Sequence, residues 1–132
     1  MLKATAAAVV VGLATTASGL ADDQSAKSFV GLWQGVDNVD GSLRTISITE
    51  LDDGTFNVLA HDSYWTMCEG PGGLETDTGQ VDDKGVLQLT GQVNCRSGAT
   101  VEFDTRYTWE DGTLHEEVVD APFRTIYFRI NQ

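Results

Sequence analysis

Short runs of β-forming residues recur along this chain at close intervals, and acidic, glycine-ended turns separate them. The clearest are Asp52-Asp53-Gly54, Asp82-Asp83-Lys84-Gly85 and Glu110-Asp111-Gly112. Asp followed by Gly suits a hairpin reversal because glycine accepts the positive φ that the turn demands. The pattern predicts strands at residues 30–36, 43–51, 55–62, 74–81, 86–93, 100–109, 113–119 and 124–130. No linker, low-complexity tract or sustained helical period interrupts them, so regular strand spacing points to a sandwich or a barrel.

Alternation assigns the faces. Val101, Phe103, Thr105, Tyr107 and Trp109 share one side of their strand, opposite Glu102, Asp104, Arg106 and Thr108. The same count groups Phe56 with Val58 and Ala60, Leu87 with Leu89 and Val93, and Ile126 with Phe128 and Ile130. Each such strand has one dry face. Sequential hairpins cover that face most simply by closing into a meander without edges. The expected fold is therefore all-β, a small antiparallel up-and-down barrel of about eight strands. Its inward candidates include the large Phe56, Leu87, Leu89, Phe103, Tyr107, Ile126 and Phe128 and the small Ala60, Thr76, Thr78 and Gly91, which leaves a filled core and a modest pocket both open.

The N-terminus reads differently. Lys3 precedes a short uncharged apolar run from Ala4 to Leu13, and small residues at Gly19 and Ala21 come just before Asp22. This is the order of a cleaved signal peptide, expected at residues 1–21, with a single domain at 22–132 in the periplasm or secreted. The apolar run falls well short of the ~20 residues a membrane-spanning helix needs, and no later stretch qualifies. Export gives the two cysteines a meaning, since Cys68 and Cys95 meet an oxidising compartment with no third thiol to compete. Neither a CxxC pair nor nearby histidines support a zinc or redox reading. A hairpin about the Asp82–Gly85 turn would bring both cysteines to one end of the barrel, stapling the irregular Gly-rich stretch at 69–73 to the loop at 94–98.

Gly31-Leu32-Trp33 on the first strand, after a polar lead-in at 22–28, resembles the GxW signature of lipocalins and the wider calycin group. The resemblance implies a barrel closed at one end by the tryptophan, which an arginine of the last strand covers. Arg124 and Arg129 both lie there, and Arg129 is the favoured partner. Small bacterial periplasmic inhibitors of metalloproteases are similar to this plan as well, with an exported barrel, a GxW-like start and one cysteine pair.

Function is sought first among the clustered aromatics. Tyr64, Trp65 and Met67 gather beside Cys68, where a rigid staple makes them good anchors, and Phe103 and Tyr107 face inward to complete a candidate ligand site. The competing view is that one of the loop residues merely caps the barrel. Catalysis is not expected: His61, Asp62 and Ser63 are the residue types of a hydrolase triad, but as neighbours on a strand they point to alternating faces. The pairs Asp52-Asp53 and Asp82-Asp83 belong to solvated turns; Glu116-Glu117 is the remaining acidic pair. His115 with Glu117 and His61 makes a poor metal set, and the stretch 37–42 lacks calcium-loop spacing. No metal or cofactor is expected.

Charge narrows the partners. Twenty Asp and Glu face eight Lys and Arg, a net charge of −12, and the basic residues are scattered singly. Nucleic acid and anionic membrane surfaces are excluded. The expectation is a monomeric, non-enzymatic binding module for a small, mostly apolar ligand, with a secreted or periplasmic protein as the alternative partner. The acids are expected largely in turns and on wet strand faces.

Overall fold

Eight antiparallel strands follow one another around a closed barrel in the computed structural model, which describes residues 29–130. They are β1 (Gly31–Val36), β2 (Leu43–Glu50), β3 (Phe56–Asp62), β4 (Gly73–Val81), β5 (Leu87–Cys95), β6 (Thr100–Glu110), β7 (Thr113–Val118) and β8 (Arg124–Arg129). Each pairs with the next, and β1 pairs with β8 through Trp33 opposite Arg129, so no edge is left open. The signal peptide at 1–21 and the polar lead-in at 22–28 lie outside the described residues.

The two ends of the barrel differ because their turns differ. The three acidic turns all fall at one end, where they are tight: Asp111 and Gly112 both have positive φ, 47° and 88°, as a two-residue hairpin of the twist-matched type requires. The opposite end carries the longer connections at 37–42, 63–72, 96–99 and 119–123. Among them is a single 3-10 turn, Thr66–Cys68. The disulfide Cys68–Cys95 joins that turn to the last residue of β5, opposite Gly73 at the start of β4. Both cysteines thus reach the long-loop end, as the hairpin topology requires.

The tight-turn end is plugged. Trp33 is fully buried, donates from Nε1 to the Phe29 carbonyl at 2.9 Å, and carries the Arg129 guanidinium 4.1 Å from its ring centre. Phe29 itself packs edge-on against Phe56. Gly31 is favoured here because its φ of 147° suits only glycine, and a Cβ would in addition displace the Arg129 guanidinium from its place beside Trp33. Above this plug the core continues through Ile46, Ile48, Val58, Leu87, Leu89 and Leu114. The lower half of the barrel is filled.

Three expectations about inward faces need correction. On β8 the buried residues are Thr125 and Tyr127, while Ile126 and Phe128 are 50% and 64% exposed on the outer surface. Arg129 covers Trp33 and Tyr127 hydrogen-bonds within the barrel, so Thr125, Tyr127 and Arg129 share the inward side of β8, while Arg124 pairs with Glu117 outside. On β4 the small Thr76 and Thr78 face outward, and the acids Glu75 and Asp77 are buried instead. Alternation in hydrophobicity cannot reveal a strand whose inward residues are the charged ones. On β6 the phase holds at Thr105 and Tyr107, but Val101 and Trp109 at its ends are over a third exposed, because the strand outruns the layer it covers.

Candidate functional site

Between the apolar plug and the long loops lies a layer of ionisable side chains, one or two from each of six strands. Arg44 sits at its centre with 2% of its surface exposed. On β2 it shares a face with Ile46 and Ile48, so the strand that buries those isoleucines must bury the arginine too. Glu116 is carried inward by the same rule beside Leu114 on β7. The Arg44 guanidinium donates to Glu75 Oε2, to Glu116 Oε1 at 3.1 Å and Oε2 at 3.3 Å, and to the Tyr127 hydroxyl at 2.7 Å. Asp62 Oδ2 stands 3.7 Å from its Nη1. Tyr127 in turn donates to Glu116.

These contacts set the charge states. Burial acts to lower the Arg44 pKa, but the charges of Glu116 and Glu75 outweigh it and hold the guanidinium more firmly protonated than in water. Burial raises the Glu116 carboxyl, with Arg44 opposing, and raises the Tyr107 and Tyr127 hydroxyls far above their ordinary value. Asp77 is pushed up to about 9, by burial first and then by the charge of Glu75. It is neutral at pH 7.

That proton has a consequence for stability. The folded state holds it while the unfolded chain, with an ordinary aspartate, releases it above about pH 4. The stabilising contribution is complete below pH 4 and fades as pH rises toward 9. Asn at this position is neutral at every pH. Asp77→Asn is therefore expected to raise stability at pH 8 by several kcal/mol, at about 1.4 kcal/mol for each pH unit above 4, and to leave it little changed at pH 4, measured by urea unfolding at both pH values. An equal effect at the two would contradict the assignment.

Above the ionic layer the barrel opens into a cup of about 480 Å³ at the long-loop end. Tyr64, Trp65, Met67 and Phe103 line it, whereas Tyr107 lies beneath, fully buried in the core. Trp65 is 3% exposed, donates from Nε1 to the Gly73 carbonyl at 3.0 Å, and packs with Val93, Phe103 and both cysteines. Tyr64 and Met67 are 43% and 47% exposed at the rim. The loop after β7 supplies Val119 and Phe123 to the opposite wall, and Arg44 with Glu75 forms the floor. The Arg44 guanidinium lies 5.0 Å from the Trp65 ring centre and 5.3 Å from that of Phe123, so the two walls meet over a cation.

Sequence reasoning missed Arg44, Glu75, Glu116, Val119 and Phe123. For Arg44 and Glu116 a signal existed, since each keeps step with buried aliphatic neighbours. The loop residues Val119 and Phe123 offered no such periodicity. Elsewhere the candidate residues stay apart: His61 is exposed, Asp62 is buried in the ionic layer, and Ser63 Oγ accepts from the Leu43 amide. Asp37 and Asp40 accept backbone amides of their own turn, from Val39 at 2.6 Å and Ser42 at 2.9 Å. Among the described residues no three His, Cys, Asp or Glu side chains are grouped to hold a metal ion. No known protein family matches this chain, and no curated protein is significantly similar to it.

Proposed function

We propose that this chain is an exported, non-enzymatic, lipocalin-like binding module that takes one small, mostly apolar ligand in the cup at its long-loop end. The observation that carries the reading is the cup itself. A volume of about 480 Å³ falls within the usual ~300–1,000 Å³ of small-molecule sites, and its walls are aromatic and aliphatic over a polar floor. The lipocalin-like element is supported by Gly31, Trp33 and Arg129, which come together at the other end of the barrel. Binding rather than catalysis is favoured because Arg44, Glu75, Glu116 and Tyr127 at the base of the cup are tied to one another.

Titration with the neutral fluorophore N-phenyl-1-naphthylamine tests this directly. Saturable, one-to-one fluorescence enhancement is expected. Trp65→Ala should weaken it roughly tenfold or more, as for a central aromatic anchor. Because Trp65 also packs against the disulfide, Met67→Asp at the exposed rim serves as the second variant and should weaken binding without disturbing the fold. Absence of saturable binding, or affinity indifferent to both changes, would defeat the reading.

A further inference from the structure

We infer that the ligand of the cup is a cationic amphiphile, an apolar body carrying a protonated amine or comparable cation directed at the floor. This deepens the proposed binding function and rests on it. The cup offers an apolar wall and a charged base, so the sign of that base decides which head group enters.

At first sight Arg44 invites an anion. Its guanidinium is already occupied, however, by Glu75, Glu116 and Asp62, which outnumber it three to one. Asp37, itself 8% exposed, and Glu102 add two further carboxylates to the lining, and Arg44 is the sole cation among the described residues there. A carboxylate head would approach an arginine whose charge is spent, inside a field that is net negative. An ammonium head meets the reverse situation. Glu75 Oε1 accepts no hydrogen bond from Arg44, although Glu75 is completely buried and lines the cup, and the carboxyl beside it, Asp77, is neutral. A partly enclosed, poorly solvated site strengthens such a charge contact over its value in water. The net charge of −12 adds long-range attraction of the same sign.

Decylamine, decanol and decanoate share one chain and differ in head group, so their binding by calorimetry to the intact protein at pH 7 isolates the head. The amine is expected to bind about tenfold more tightly than the alcohol, and the carboxylate more weakly than either. Glu75→Gln should remove most of the amine's advantage. Since Glu75 also pairs with Arg44, Glu102→Gln at the exposed rim is the companion variant; it should narrow the gap between amine and alcohol by weakening the amine more than the alcohol. Decanoate binding as tightly as decylamine, or alcohol equal to amine, overturns the inference while the cup remains a ligand site. If N-phenyl-1-naphthylamine binds and none of the three chains does, the cationic amphiphile is again excluded. If the fluorophore fails as well, the binding function falls with it.

Discussion

Arg44→Met is expected to destabilise the barrel by roughly 3–5 kcal/mol, the usual cost of removing one partner from a buried ionic group and leaving the others uncompensated. Glu75, Glu116 and Asp62 would then share the interior with no cation, and the side chain that Trp65 and Phe123 cover would lose its charge. Urea unfolding at pH 7 measures the loss. Part of it should return when the opposing charges are also removed, so that Arg44→Met combined with Glu116→Gln is more stable than the sum of the two single changes predicts. Lowering the pH should help the single variant too, because its carboxyls can then take up protons. A loss below about 1 kcal/mol, or strict additivity, would mean that the layer is solvated and not the dry network described.

Such a layer is costly compared with an apolar core of the same shape, and natural barrels fill that space with aliphatic side chains at no electrostatic risk. Stability therefore does not explain it. Its position does: it lies where the filled half of the barrel ends and the cup begins, and it turns the base of an apolar cavity into a polar surface. The acidic composition has two parts in consequence. Asp53 and Asp82 shape turns by accepting nearby backbone amides, while Glu75, Asp77 and Glu116 are inside.

The distribution of legible and illegible features follows from the same physics. Strand number, order and closure could be read because each hairpin is encoded locally by its turn, and the tight Asp111-Gly112 reversal is decided by two residues. The disulfide followed from that register, since β4 and β5 place Gly73 opposite Cys95. Inward faces could be read where they are aliphatic, as in Phe56, Val58 and Ala60. They were misread on β4 and β8, where Glu75 and Tyr127 meet Arg44 across the lumen and Asp77 is buried in neutral form beside Glu75. A charge goes inside when a partner from a distant strand is already there, and no local pattern records that. The aromatics at Tyr64 and Trp65 were visible as a cluster; the wall that faces them, at Val119 and Phe123, becomes a wall only once β7 and β8 close the ring.

The second large effect concerns the staple. Replacing both cysteines, Cys68→Ser with Cys95→Ser, is expected to cost roughly 3–4 kcal/mol, from the entropy that a loop of this separation regains in the unfolded chain. The barrel should survive, because its eight strand pairings, including β1 with β8, do not depend on the bridge. What changes in the native state is the 63–72 connection. Its single 3-10 turn spans only Thr66–Cys68, and the Trp65 wall of the cup packs against the two half-cystines themselves. Losing the bridge frees that wall, so ordering it again must be charged to each binding event. Affinity for N-phenyl-1-naphthylamine should therefore fall several-fold in the folded variant, with a faster off-rate and an unaltered far-ultraviolet dichroism spectrum. The two readouts separate two roles of one bond. A variant that loses stability but keeps full affinity would show that Trp65 is held by its hydrogen bond to Gly73 and by its packing with Val93 and Phe103, and that the disulfide secures the fold without shaping the cup.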